Sequence, residues 1–198
     1  PLGFSEYGAE GLINLHSEKP KRGDDSEEYQ LLCHAKVYKA LDKRHYLFGT
    51  YVWNMFDFGA DARNIGGDPG KNHKGLVTFD RKTRKDAFYL YQAYWYKKEV
   101  LHLCGHRFTN RAFEKETIYL TTNASSFKVL QDGKEIFSTT NSTERFYSFK
   151  IPMTKDTLIE VVSPTQKDSL QLHKVASPDP SYILKEKSNN ASWEKKKK

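Results

Sequence analysis

The residue types best suited to chemistry stand in two short strings. The first is Ser5-Glu6-Tyr7-Gly8, which follows the apolar start Leu2-Gly3-Phe4. The second is Trp53-Asn54-Met55-Phe56-Asp57, at the close of an aromatic run that begins at Tyr46. A carboxylate at the end of a buried strand is costly unless it has a partner or a task. If both strings end parallel strands, Glu6, Tyr7, Trp53 and Asn54 meet at one rim, the C-terminal rim at which α/β barrels carry their active sites. An indole beside a carboxylate suits a carbohydrate, whose C–H face packs on the ring while its hydroxyls hydrogen-bond to polar neighbours. Residues 59–75 are rich in glycine (Gly59, Gly66, Gly67, Gly70, Gly75) and also contain Asp68-Pro69. They read as a long loop that overhangs the same mouth, and loops of that length are usually functional. His16 is a further candidate for sugar contact. Asp57 reads as a structural acid paired with Arg63 or Arg81.

The elements that must position these residues follow from pattern. Residues 2–7 read as a short buried strand, and 46–56 as a second one. Between them, Ser26 precedes Glu27 and Glu28, which marks a helix start with acids in the first turn. Leu31, Leu32, Ala35, Tyr38 and Leu41 continue at helical spacing, and Lys43 and Arg44 close the helix. Residues 85–96 read as a second helix whose tyrosines pack as core. Strand, helix, strand, helix is the logic of a parallel sheet with helices outside it. Two strands leave such a sheet incomplete, so its neighbours must come from elsewhere. This half is therefore expected to expose apolar surface around Leu32, Tyr51, Trp53 and Phe88, covered by the rest of the sheet or by self-association. The pattern changes near Val100. From there to Val162, short alternating runs (VLHLCG, TIYLTTN, SFKVLQ, KEIFS, RFYSFKI, TLIEVV) recur at about ten-residue spacing, as in a small antiparallel sandwich. Asp132-Gly133 between two of them is a hairpin signal.

The strings SEYGAEG, HSE, SEEYQ, GTYVWNMFDFGADARN and NHKGLVTFDRKTRKDAFYLYQAYW occur in that order over residues 1–97. Together they resemble glycoside hydrolase family 2, most closely its β-galactosidase branch, with β-glucuronidases as relatives. Residues 100–163 are more loosely similar to the immunoglobulin-like domain that follows the barrel in such enzymes. The resemblance implies α/β plus all-β architecture, the last quarter of a (β/α)8 TIM barrel followed by an immunoglobulin-like β-sandwich. It implies domains at 1–98 and 99–165, with 166–198 as a polar, lysine-rich, disordered tail. It implies retaining hydrolysis of terminal β-D-galactosides, with Glu6 as the nucleophile and a second, acid/base glutamate outside this chain. Without that partner the chain alone is expected to be inactive. It also assigns substrate contacts to Trp53, Asn72, Lys74, His16 and Tyr7. Asn72-x-Lys74 matches a pattern with which β-glucuronidases grip the sugar carboxylate. Asp68, however, stands where that loop carries a basic residue, and an acid beside a uronate repels it. On that ground a galactoside is expected over a glucuronide. A third outcome, a non-catalytic truncated product, would leave a binding or packing module.

Composition excludes several classes. No run of apolar residues is long enough for a membrane-spanning helix. The formal charge of +7 is concentrated at the end: residues 185–198 hold six lysines against two glutamates, so a basic nucleic-acid-binding face is not expected. Two cysteines, Cys33 and Cys104, exclude a disulfide-rich scaffold and accord with a cytoplasmic setting. They read as buried small hydrophobes. None of the seven histidines shows diagnostic metal-ligand spacing, so neither a metal site nor a cofactor is expected in this chain. A cation held elsewhere in a complete enzyme stays open. Asn123, Asn141 and Asn190 head glycosylation-type triplets. No initiator methionine or signal-peptide pattern is visible, and the start reads as internal to something longer.

Overall fold

The computed structural model describes residues 2–189. The lysine run at the end and the Asn190 triplet lie outside the described residues. The chain divides into two compact units, one through Lys85 together with the residues from Ser181 on, and one over Asp86–Pro180.

In the first unit, β1 (Leu2–Tyr7) and β2 (Leu47–Val52) pair in parallel, with Gly3 opposite Gly49 and Tyr7 opposite Val52. The connection contains α1 (Glu27–Asp42), as a parallel pair requires. Ser26 is the N-cap, its hydroxyl accepting the Tyr29 N–H at 3.1 Å. That satisfies one of the orphan donors of the first turn, and Glu27 and Glu28 complement the helix dipole there. The buried face of α1 differs from the expected apolar stripe. Leu31 and Ala35 are buried, but so are Glu27, Glu28, Gln30 and His34, whereas Leu32, Tyr38 and Leu41 are half-buried. The helix therefore packs on a polar interior.

The two parallel strands form a two-stranded sheet, and their expected burial is not observed. Leu2, Phe4, Phe48, Tyr51 and Trp53 are 41–69% exposed. The expected 59–75 loop is also corrected. It is a hairpin of β3 (Phe58–Ile65) and β4 (Asp68–Asn72), with Ile65 opposite Asp68. Gly66 and Gly67 form its turn with φ of 64° and 81°, the positive pair that a two-residue hairpin turn demands. Residues 181–189 return to this unit rather than trailing from the sandwich. Leu184 packs on Leu12, Leu15 and Ile65, and the Gly66 N–H donates to the Ser188 hydroxyl at 2.9 Å.

The second unit opens with α2 (Asp86–Trp95), so the division falls at Lys85/Asp86 rather than near residue 98. Its strands are β5 (Leu101–Leu103), β6 (Asn110–Arg111), β7 (Lys115–Thr122), β8 (Phe127–Gln131), β9 (Lys134–Thr139), β10 (Phe146–Pro152), β11 (Thr157–Val162) and β12 (Lys167–Lys174). They form a three-stranded sheet, β10-β7-β5, and a five-stranded sheet, β6-β12-β11-β8-β9. Alternate residues turn inward to make one core: Ile118 and Leu120 from β7, Ile159 and Val161 from β11, and Leu170 and Leu172 from β12. This is a β-sandwich, and each fully buried aliphatic side chain in it contributes about 1.5–3 kcal/mol. β12 corrects the expected boundary at 165, because it pairs along its length with β11. The Asp132-Gly133 turn forms as expected, with φ of 50° and 78° and Gln131 opposite Lys134. No disulfide joins Cys33 and Cys104; Cys104 is buried and Cys33 half-buried. No helix among the described residues is long and apolar enough to cross a membrane.

Candidate active site

Main-chain hydrogen bonds fasten three segments of the first unit at the strand ends. The Trp53 N–H donates to the Tyr7 carbonyl at 2.8 Å, which ties the end of β2 to the end of β1. The Asn54 N–H donates to the Lys74 carbonyl at 3.1 Å, and the Leu76 N–H returns to the Asn54 carbonyl at 2.9 Å. The segment after β4 is thereby sewn to the segment after β2. Two glycines permit these approaches. A Cβ on Gly8 would lie 1.9 Å from the Trp53 carbonyl oxygen, and one on Gly75 would lie 2.0 Å from the Asp57 nitrogen. The Trp53–Asn54 peptide is cis.

The backbone positions of Glu6, Tyr7, Trp53, Asn72 and Lys74 are thus brought to one end of the parallel pair. Glu6 is exposed. Trp53 is 41% exposed and meets Phe58 edge-on at 5.7 Å. Tyr7 is half-buried between Phe4 and His34, at 5.8 and 6.0 Å. Asn72 is buried, and its side-chain oxygen accepts the Lys74 N–H at 2.9 Å, so it shapes the turn that presents Lys74. His16 is not brought to this rim as a ligand. Its side chain is 1% exposed, with Nδ1 2.9 Å from a Glu28 carboxylate oxygen and its ring edge-on to Tyr182.

Beneath the rim lies a buried polar frame that the sequence reading did not identify. Glu10 binds Arg63 at 2.6 Å and accepts the His73 N–H at 2.8 Å. Burial raises the pKa of its carboxyl, against the lowering effect of the His73 N–H, Arg63 and Lys74. Asp57 is paired with Lys85 at 2.8 Å, not with Arg63 or Arg81; Arg81 reaches only its main-chain oxygen, at 3.1 Å. The other Asp57 contacts are the Gly75 N–H at 2.8 Å and His73 Nδ1 at 3.4 Å. Lys85 also donates to the His73 carbonyl at 3.0 Å, and burial drives its pKa down despite the attraction of Asp57. Gln30 donates to the Ala9 and Gly75 carbonyls at 3.0 and 3.2 Å. His34, fully buried, has its pKa lowered to about 3 by burial and by the charge of Lys85. The only sequence signal for this frame was the polar stripe Glu27-Glu28-Gln30-His34 on α1, which the apolar spacing around it obscured.

Chemically, the rim offers one exposed carboxylate, an aromatic surface and a cation. Two other carboxylates fastened to the same segments, Glu10 and Asp57, are already engaged by Arg63, Lys85 and main-chain N–H groups. Asp68 is also engaged, by Lys71 at 3.0 Å. Metal-ligating side chains do converge, contrary to expectation, but in the second unit: Asp86, His102 and Cys104 form one group, and His102, His106 and Asp168 another. The spacing gave no hint of this because Asp168 lies on β12, read as tail. Among the triplets, the Asn123 amide donates to the Tyr96 and Lys98 carbonyls at 3.0 and 2.9 Å.

No protein-family model matches the chain. A curated β-glucuronidase of Bacteroides fragilis is 41% identical over 138 residues, covering 67% of this chain and 20% of that protein. The chain therefore spans about a fifth of the length of this relative. Among solved structures, an FMN-binding β-glucuronidase from Facaelibacterium prausnitzii L2-6 superposes with a TM-score of 0.87 and 43% identity, over 92% of this chain and 28% of that one. A putative β-galactosidase from Bacteroides fragilis gives a TM-score of 0.78 and 28% identity, over 87% and 28%. The homologues of this chain are glycoside hydrolases of the β-glucuronidase and β-galactosidase-like kinds.

Proposed function

We propose that this chain supplies the C-terminal part of a retaining β-glycosidase of glycoside hydrolase family 2. In this reading β1 and β2 are the last two strands of a (β/α)8 barrel, and the sandwich follows the barrel. Glu6 is the nucleophile. Its carboxylate attacks the anomeric carbon and forms a covalent glycosyl-enzyme while a second carboxylic acid protonates the leaving oxygen. That second group, now a base, then activates the water that releases the sugar, with the two carboxyls about 5–5.5 Å apart. Glu10 and Asp57 are tied down, so the second group comes from another part of the complete protein. The exposed apolar side chains of β1 and β2 are then covered by neighbouring barrel strands. The observation that carries the reading is the main-chain bonding of Trp53 to Tyr7 and of Asn54 to Lys74 at one end of a parallel pair, next to exposed Glu6.

For the sugar, a β-glucuronide is the better fit. Lys74 is a cation for the uronate, and Asn72 fixes the turn that presents it. Asp68 is the acid that would repel a uronate, and Lys71 pairs with it at 3.0 Å. A β-galactoside is the second reading, supported by the likeness to the putative β-galactosidase. The test is to assay the complete protein on 4-nitrophenyl β-glucuronide and β-galactoside. Lys74→Met should reduce kcat/KM on the glucuronide about 10- to 100-fold, as for loss of a charged hydrogen bond worth about 1.5–3 kcal/mol. Galactoside turnover should barely change. A wild-type preference for the galactoside would overturn the glucuronide assignment.

A further inference from the structure

The turn after β5 gathers side chains from three elements of the second unit. The His102 ring lies flat on Tyr89, with centroids 3.7 Å apart and an 18° interplanar angle. Its Nε2 is 3.1 Å from an oxygen of Asp86, a fully buried carboxylate at the start of α2. Its other nitrogen, Nδ1, faces Asp168 Oδ2 on β12 at 4.0 Å. The same Asp168 oxygen is 3.3 Å from His106 Nε2 and accepts the Leu103 N–H at 2.7 Å. The His102 and His106 rings stand 5.5 Å apart.

We propose that His102 Nδ1, His106 Nε2 and Asp168 Oδ2 form a binding site for a divalent transition-metal ion of the zinc type. Ligand atoms held at about 2.0–2.2 Å around a tetrahedral ion stand about 3.3 Å from one another. His106 and Asp168 already have that separation, and His102 has to close by a fraction of an ångström. The donor set, two imidazoles and one carboxylate, suits zinc, copper or nickel rather than calcium or magnesium, which take oxygen ligands.

Asp86 is the independent part of the argument. As an acceptor for His102 Nε2–H it fixes the proton on that nitrogen and directs the Nδ1 lone pair at Asp168. A lone pair facing a carboxylate oxygen is unfavourable without something positive between them, and an ion there removes the conflict. A buried carboxylate behind a ligating histidine is the usual outer-shell partner of a metal-bound imidazole. The metal-free alternative is a doubly protonated His102 bridging the two carboxylates, with His106 paired to Asp168.

His106 is the most exposed of the three, which leaves solvent access for a fourth ligand. The role that follows is structural, because the ion would join the turn after β5 to β12, with α2 held through Asp86.

The test uses the whole chain, stripped with chelator and titrated with zinc by calorimetry and with cobalt(II) by visible absorption. The expected result is one equivalent bound, with the intense d–d bands of four-coordinate cobalt. His106→Ala should weaken binding at least tenfold, and His106→Cys, which replaces one ligand by another, should retain it. Asp86→Asn should weaken it about 10- to 100-fold, as outer-shell changes do. His173→Ala, which alters an exposed histidine paired with Asp156, should have no effect. Absence of stoichiometric zinc, or equal affinity in wild type and His106→Ala, would overturn the site in favour of the protonated network. If an Asp86 variant unfolds by circular dichroism, the two His106 variants decide alone.

Discussion

Asp57→Asn perturbs the buried frame at its centre. Asp57 and Lys85 meet at 2.8 Å with side chains only 2% and 1% exposed. The substitution keeps the shape and removes the charge. The Lys85 ammonium then retains the His73 carbonyl at 3.0 Å as an acceptor but loses its counter-ion. Stranding one member of a buried pair costs about 3–5 kcal/mol, whereas replacing both by uncharged groups of similar size is often close to neutral. Asp57→Asn should therefore lower the stability of the first unit by about 3 kcal/mol or more. Lys85→Met should cost a comparable amount by stranding the carboxylate, which keeps the Gly75 N–H. The double variant should cost far less than the sum, with a coupling of about 2 kcal/mol or more. Urea unfolding read by Trp53 fluorescence, in a Trp95→Phe/Trp193→Phe background, measures all three. With a slope of about 1–3 kcal/mol/M, the single variants should shift the midpoint by at least about 1 M. A cost below about 1 kcal/mol for Asp57→Asn, or strictly additive singles, would refute the buried pair as the support of the 72–75 turn.

His34 should make the first unit acid-sensitive. Its folded pKa is lowered to about 3 and its unfolded pKa is near 6.5, so between these values the unfolded state binds the extra proton. Stability therefore falls as pH drops below about 6.5, by about 2 kcal/mol between pH 7 and 5. Urea midpoints across that range check the slope, and a His34 NMR resonance titrating near pH 6.5 in the folded chain would contradict it. Gly8→Ala drives a methyl group into the Trp53 carbonyl and should cost about 1–3 kcal/mol, seen as a lower Tm and a changed Trp53 emission; an unchanged Tm counts against the close approach. The isolated chain should not turn over chromogenic glucuronides or galactosides, since one carboxylate cannot both attack and protonate. Robust turnover that disappears in Glu6→Gln would disprove this.

Much of the fold was legible where local chemistry decides it. Ser26 caps α1 because a hydroxyl before two acids serves the first turn, and Asp132-Gly133 makes a hairpin because both residues tolerate positive φ. The elements that escaped are those whose stability comes from tertiary partners. β3 and β4 are rich in Gly, Asp, Asn and Pro, with Ile65 their one β-branched residue, and are held by pairing with each other; Gly66-Gly67 was the available hint. β12 places only Leu170 and Leu172 inward among charged neighbours, so it read as tail. At the candidate site, the strings that hold Glu6, Tyr7, Trp53, Asn72 and Lys74 were legible, and main-chain bonds join Trp53 to Tyr7 and Asn54 to Lys74. His16 lies 2.9 Å from Glu28, a partner that a lone histidine does not announce in sequence. Asp57 was assigned an arginine for the same reason: nothing in sequence foretells that Lys85 is drawn inside.

The central claim is that Glu6 forms the bond to the sugar. Treating the complete protein with a 2-fluoro-β-glucuronyl fluoride, followed by peptide mapping by mass spectrometry, tests it directly. The account predicts one added glycosyl mass per chain, on the peptide containing Glu6 and absent in Glu6→Gln. A label on any other side chain, or stoichiometric labelling that survives Glu6→Gln, would contradict it.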